Sequence, residues 1–265
     1  MTFNGQKLQT LSGSNISNNL IFFDLTLNGS ELRLNNDLII LNNLSIITGT
    51  FDANDHDIFT SGNWSNDDHF VHSDRTVYLN AKSGEKTLSQ KDYFHNLTIG
   101  VTGGETTIRL LSSITIENKL RIMSGNRLNL NANNLTIGHQ LINQGKLTAN
   151  GGITAFSRLY LSNSPGYVYG GVNQSAFNDV MFVCEEGARW LSVDELNIDG
   201  NLIVDGCLLY ANNLDYSGEL SLKNNAHIIS YTSVPSLNEW GIILFFGLLG
   251  GLGVILMRKR YSYLI

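Results

Sequence analysis

The sequence predicts an all-β chain: a β-solenoid (parallel β-helix-like) of three long repeats, followed by a C-terminal transmembrane helix. Three observations predict the coil. Apolar and polar residues alternate over runs of three to five positions, Asn and Gly interrupt those runs, and no useful helical periodicity appears before residue 241. The alternation is plain in Leu25-Thr26-Leu27, Leu97-Thr98-Ile99, Leu135-Thr136-Ile137 and Leu196-Asn197-Ile198. Successive side chains of a strand point to opposite faces, so each triplet presents two aliphatic groups to one side. Asn and Gly tolerate left-handed backbone and turn the chain between strands. Strands this short bury a core by stacking turn upon turn. An all-β sandwich array, which also alternates with turns every about 8–12 residues, is the second architecture compatible with the pattern.

The long repeats are read from corresponding segments. Asn36-Asp37-Leu38-Ile39-Ile40 through Ile46 corresponds to Ser112-Ser113-Ile114-Thr115-Ile116 through Ile122, and again to Asp194-Glu195-Leu196-Asn197-Ile198 through Val204. Each is followed by a glycine: Gly49, Gly125 and Gly206. Ala132-Asn133-Asn134-Leu135 recurs as Ala211-Asn212-Asn213-Leu214. The units are 1–75, 76–151 and 152–231. Three coils of about 25 residues per unit, stacked at about 4.8 Å, make a rod on the order of 45 Å long. Asn131, Asn133, Asn134, Asn212 and Asn213 sit at the expected turns, either as stacked ladders or as solvated turn residues.

Composition narrows the function. The chain carries a net charge of −6; before Val234 it holds 14 Lys and Arg against 22 Asp and Glu, a net of −8. Such a surface disfavours nucleic acid and anionic lipid as partners. Asn is abundant, at 32 residues, and Pro occurs twice, which suits short strands with polar turns. Met1-Thr2-Phe3-Asn4-Gly5 has neither a basic nor an apolar leader region, so the chain is expected to be an N-terminally truncated piece of a longer exported protein.

The end of the chain has a separate organisation. Val234-Pro235-Ser236-Leu237-Asn238-Glu239-Trp240-Gly241 precedes an uncharged apolar run, Ile242–Met257, and then Arg258, Lys259 and Arg260. A helix over about 241–257 is a little short of a hydrocarbon core of about 30 Å. Trp240 suits the interface, and the three cations form a cytoplasmic basic anchor by the positive-inside rule. The segment before residue 234 is then exported.

This tail resembles the bacterial sorting signal written I-P-T-L-S-E-W-G, the IPTL-CTERM type, with motif, hydrophobic helix and basic end in the same order. Pro235, Leu237, Glu239, Trp240 and Gly241 match; Val234, Ser236 and Asn238 depart from the pattern. The resemblance implies recognition by an exosortase-like membrane transpeptidase in a Gram-negative-type bacterium, with an inner-membrane intermediate and delivery to the cell envelope or surface. Upstream, Thr2-Phe3-Asn4-Gly5, Gln9-Thr10-Leu11-Ser12-Gly13 and Gly62-Asn63-Trp64-Ser65-Asn66 resemble segments that recur in long-repeat bacterial surface proteins.

Residues that bear chemistry are few. Asp52-Ala53-Asn54-Asp55-His56-Asp57 is the densest carboxylate cluster, but it lacks the twelve-residue calcium loop with a closing Glu and reads as a polar turn. His69 and His72 are three apart with no helix to align them on a zinc ion. Glu185, Glu186, Arg189, Asp194 and Glu195 form the one local cluster suited to sugar cleavage, yet adjacent carboxylates on a strand face opposite sides. Tyr160, Tyr167 and Tyr169, with Phe177, Phe182 and Trp190, are either core aromatics or a sugar-stacking surface. No catalytic residue, metal or cofactor is therefore assigned. Cys184 and Cys207 lie 23 residues apart, close to one coil, a spacing that brings two side chains into register as a possible disulfide in an exported chain. The expected function is a non-enzymatic surface or matrix protein, adhesin-like or structural. Its partners are the transpeptidase, the membrane through the tail and envelope polysaccharide, with no nucleic acid. A carbohydrate-active β-helix, a polysaccharide lyase or hydrolase with the same tail, is the alternative.

Overall fold

The triplet Leu25-Thr26-Leu27 shows how the fold is built. Leu25 and Leu27 are fully buried and Thr26 faces outward. The triplet pairs in parallel with Thr2–Phe3 before it and with Leu44, Ser45 and Ile46 after it. The same inward–outward–inward pattern recurs in Leu38–Ile40, Ile58–Thr60, Trp64–Asn66 and Leu135–Ile137. Among the described residues all strand pairings in this computed structural model are parallel, as in a β-solenoid, and they form sheets of 10 and 16 strands. The structure describes residues 1–13, 20–151, 153–158, 166–170, 177, 179–184 and 189–230. Residues 1–230 form one compact unit. The expected tail features, namely Val234–Gly241, the helix over about 241–257 and Arg258, Lys259 and Arg260, lie outside the described residues. Among the described residues no helix is long and apolar enough to cross a membrane.

Each turn of the coil contributes three short strand segments, so there are three columns. One column runs Leu20–Phe22, Leu38–Ile40, Ile58–Thr60 and Thr76–Leu79. A second runs Leu25–Leu27, Leu44–Ile46, Trp64–Asn66 and Leu88–Gln90. A third carries Glu31–Arg33, Thr50–Asp52 and His69–Val71, and further along Leu135–Ile137, Ile153–Arg158, Asp179–Cys184 and Leu202–Asp205. Long strands bend from one column into the next. In Leu25–Leu34 the register breaks on both sides of Asn28, so its two arms belong to different columns.

The register steps are mostly 19 to 24 residues, as from Leu38 to Ile58 and from Trp64 to Leu88, and so shorter than the expected 25. The reason lies in the corners. His56 N–H donates to Ala53 C=O across Asn54 and Asp55, and Arg75 N–H donates to His72 C=O across Ser73 and Asp74. All four central residues have positive φ, so these are two-residue type I′ corners. Asn131–Ala132 and Asn224–Asn225 make the same turn. The long repeat also differs from the structural one. Leu38–Ile40, Ile114–Ile116 and Leu196–Ile198 correspond in sequence yet pair in three different columns.

The core is a continuous internal stack of Leu and Ile that includes an aromatic cluster around Trp64. Trp64 is buried against Phe70 and Phe94, ring centroids 5.2 and 5.4 Å away, and Phe51 joins through Phe70. Its indole N–H donates to Gln90 Oε1 at 2.8 Å, which supplies the partner a buried ring nitrogen requires. Each fully buried aliphatic side chain contributes about 1.5–3 kcal/mol.

Candidate functional site

The outward side chains of the described coil are bound mainly to one another. Arg33 Nε contacts Asp52 Oδ2 at 2.8 Å, Arg109 Nε contacts Glu85 Oε1 at 2.7 Å and Arg75 Nε contacts Asp57 Oδ1 at 3.2 Å, each between neighbouring turns. In the segment Asp52–Asp57, Asp52 Oδ1 accepts the N–H of Asn54, and Asp57 Oδ1 accepts the N–H of Thr76. His56 Nδ1 stands 3.5 Å from Asp37. These carboxylates are engaged by arginines and backbone N–H groups and diverge from any common point, as a polar corner requires.

His69 and His72 take separate partners. His69 faces Asp68 and Asp92 at 3.6 and 3.7 Å. Among the described residues Asp68 is the one carboxylate held below its usual range: it accepts the N–H of Gly49 at 2.8 Å, and the Lys91 ammonium lies 3.2 Å away.

His72 belongs to a different group. It sits at the first position of the corner His72-Ser73-Asp74-Arg75, and its Nδ1 accepts the Asp74 N–H at 3.1 Å. His95 stands one turn further along the coil, with its ring centroid 5.4 Å from that of His72. Glu117, another turn on, places Oε2 3.1 Å from His72 Nε2 and 3.6 Å from His95 Nδ1. Asp74 Oδ1 lies 3.5 Å from His95 Nδ1 and 3.9 Å from His72 Nδ1. The two imidazoles are half-buried and Asp74 is open to solvent. His95 Nδ1 is shielded from water and makes no hydrogen bond. Sequence reading weighed His72 but missed His95 and Glu117. The signal was their spacing from His72, 23 and then 22 residues, which is one turn each.

Cys184 and Cys207 form a disulfide, with Cα atoms 5.1 Å apart. Cys184 ends the strand Asp179–Cys184 of the third column, and Cys207 lies two residues beyond the neighbouring strand Leu202–Asp205, just past the point where Val183 pairs with Asp205. Gly206 between them has φ +70°, and a Cβ there would fall 2.5 Å from the carbonyl oxygen of Cys184. Phe177, Phe182 and Trp190 are buried, with the last two rings in edge contact at 5.8 Å. Tyr160, Glu185 and Glu186 lie outside the described residues, as do the side chains of Tyr167, Tyr169, Asp194 and Glu195; Arg189 is exposed at a strand start.

No family model, no curated protein and no solved structure matches the chain.

Proposed function

We propose that the chain is an exported, non-enzymatic surface or matrix protein whose coil supplies a structural or adhesive surface. Its tail is processed by an exosortase-like transpeptidase at the inner membrane before delivery to the envelope. The observation that carries this reading is the succession of segments in the tail sequence: Val234–Gly241, an uncharged run and then Arg258, Lys259 and Arg260. The outward carboxylates support it, because Asp52, Asp57 and Glu85 are bound to arginines between turns and so hold the stack together. General acid–base cleavage of a sugar requires two carboxyl groups free to converge on one bond.

Intact mass of the protein recovered from the envelope tests the reading. Chains should lack Arg258 to Ile265, and Glu239→Ala with Trp240→Ala should keep the whole tail and stay in the inner membrane. Mature envelope protein that still ends in Tyr261–Ile265 argues against processing. New reducing ends or unsaturated products from a panel of acidic and neutral polysaccharides would favour the carbohydrate-active alternative.

A further inference from the structure

We propose that His72, Asp74 and His95 bind a divalent transition-metal ion of the zinc class, with Glu117 as the residue that orients His72. The site is independent of the sorting tail and of the reading built on it.

The first argument is spacing. Asp74 Oδ1 to His95 Nδ1 is 3.5 Å and Asp74 Oδ1 to His72 Nδ1 is 3.9 Å. All three ligand atoms lie within 4.8 Å of one another. N–H···O bonds cluster near about 2.9 Å, so these groups are not well bonded to each other. Ligands at about 2.0–2.2 Å from a tetrahedral zinc stand roughly 3.3 Å apart. The two separations from Asp74 are close to that edge and contract to it with a small movement of its open side chain, while the two imidazoles, held within the 4.8 Å limit, must close on each other by side-chain rotation.

The second argument is the state of each nitrogen. His95 Nδ1 has neither water nor a hydrogen-bond partner although two carboxylates flank it. His72 Nδ1 accepts only the Asp74 N–H, so the ring proton sits on Nε2, directed at Glu117 Oε2, 3.1 Å away. That is the carboxylate–histidine pairing which fixes the tautomer of a metal-binding imidazole and raises its basicity. An ion on Nδ1 would replace the hydrogen bond from the Asp74 N–H, so metal binding entails a shift of the His72 ring relative to the corner.

The third argument is charge. Asp74 and Glu117 bring two negative charges to this corner, and their ion-pair partners among the described residues are the two histidines alone. Arg75 next door is engaged with Asp57. A divalent cation balances the pair. Two imidazoles with one carboxylate select zinc, nickel, cobalt or copper over calcium or magnesium, which prefer oxygen ligands. Asp74 is 82 % exposed, so the fourth position opens to solvent.

The ligands come from two consecutive turns, with their orienting carboxylate on a third, so the ion would staple the coil along its axis. The test uses the full chain in detergent with its disulfide intact, stripped with EDTA and titrated with zinc chloride, then with cobalt chloride. One ion per chain should bind, cobalt should show the visible absorption of a tetrahedral site, and zinc should raise the unfolding temperature. His72→Gln and His95→Gln should each abolish binding and the thermal shift, while Glu117→Gln should weaken binding about 10–100-fold. His56→Gln and His69→Gln should leave both unchanged. If His95→Gln misfolds, His72→Gln at its surface corner carries the test, with its metal-free unfolding temperature as the control for folding. No stoichiometric binding, or binding that survives both His72→Gln and His95→Gln, overturns the proposal.

Discussion

Asn43 Oδ1 accepts the backbone N–H of Asn63, one turn further along the coil, at 2.9 Å. The relationship repeats on both sides. Asp24 Oδ1 accepts the N–H of Asn43, and Asn63 Oδ1 accepts the N–H of Thr87. Other corners do the same: Asp37 to Asp57 to Thr76, Asn134 to Ile153, and Asp179 to Asn201 to Glu219. At a corner the ladder of backbone bonds is interrupted, and a short side chain with an acceptor oxygen bridges the 4.8 Å step between turns. At these corners the Asn and Asp side chains thus act as a register device.

The first prediction follows from that ladder. Asn43→Ala removes the acceptor of the Asn63 N–H and should lower stability by about 1 kcal/mol, the net worth of a hydrogen bond. Asn43→Asp keeps the acceptor and should cost less. Thermal unfolding of the two variants checks this, and equal losses would show that the oxygen is not what matters.

The core makes a stronger prediction. Leu120 is fully buried and pairs with Leu97 and Leu141 on the neighbouring turns. Leu120→Ala should cost about 2–5 kcal/mol. Leu120→Asp should unfold the surrounding turns, because it sets an unpaired charge in a continuous apolar column. Unchanged denaturant unfolding of Leu120→Asp would refute the inward placement.

Fold class and facing were legible because burial acts locally. Leu97 and Ile99 alternate with Thr98, and two residues suffice to say which side is in. The length of a turn was less legible, since a two-residue corner such as Ser73–Asp74 looks in sequence like any polar loop. Turn Asn residues are also busier than a solvated loop implies: Asn133 Nδ2 donates to Leu110 C=O of the previous turn, so Asn133→Ser is not free of cost. The His72, His95 and Glu117 group left only a spacing of 23 and then 22 residues in the sequence, a signal that takes its meaning from the true length of a turn. Its members meet only after the register is set, and no short motif spans two turns.

Glycine is required where turns press together. Gly49 has φ +101°, and a Cβ there would lie 2.3 Å from the Gly29 carbonyl oxygen and 2.4 Å from that of Ser30. Both contacts are with backbone, which cannot step aside as a flexible side chain would. Gly49→Ala should therefore destabilise by at least about 1–3 kcal/mol. Gly84 also has positive φ but meets nothing within 4 Å, so Gly84→Ala bears the dihedral strain alone and should lose less. Paired unfolding curves separate close approach from backbone strain.

The Gly49 N–H also sets an acid response through Asp68. That N–H, then the Lys91 ammonium, hold the Asp68 carboxyl below its usual range, with His69 adding to the effect when charged. A carboxyl whose folded pKa lies below its unfolded value binds its proton less readily in the folded state. Its contribution to stability is complete above the ordinary aspartate value of about 3.9 and is lost as pH falls through the lower folded pKa. Asp68→Asn should therefore be less stable than the parent at neutral pH, and the difference should shrink on acidification below about pH 4. The carboxyl carbon of Asp68, followed by NMR, should titrate below the ordinary midpoint, and Lys91→Met should move that midpoint upward while leaving the depression due to the Gly49 N–H in place. A parent midpoint at or above the ordinary value would mean that neither the Gly49 N–H nor Lys91 favours the ionised form.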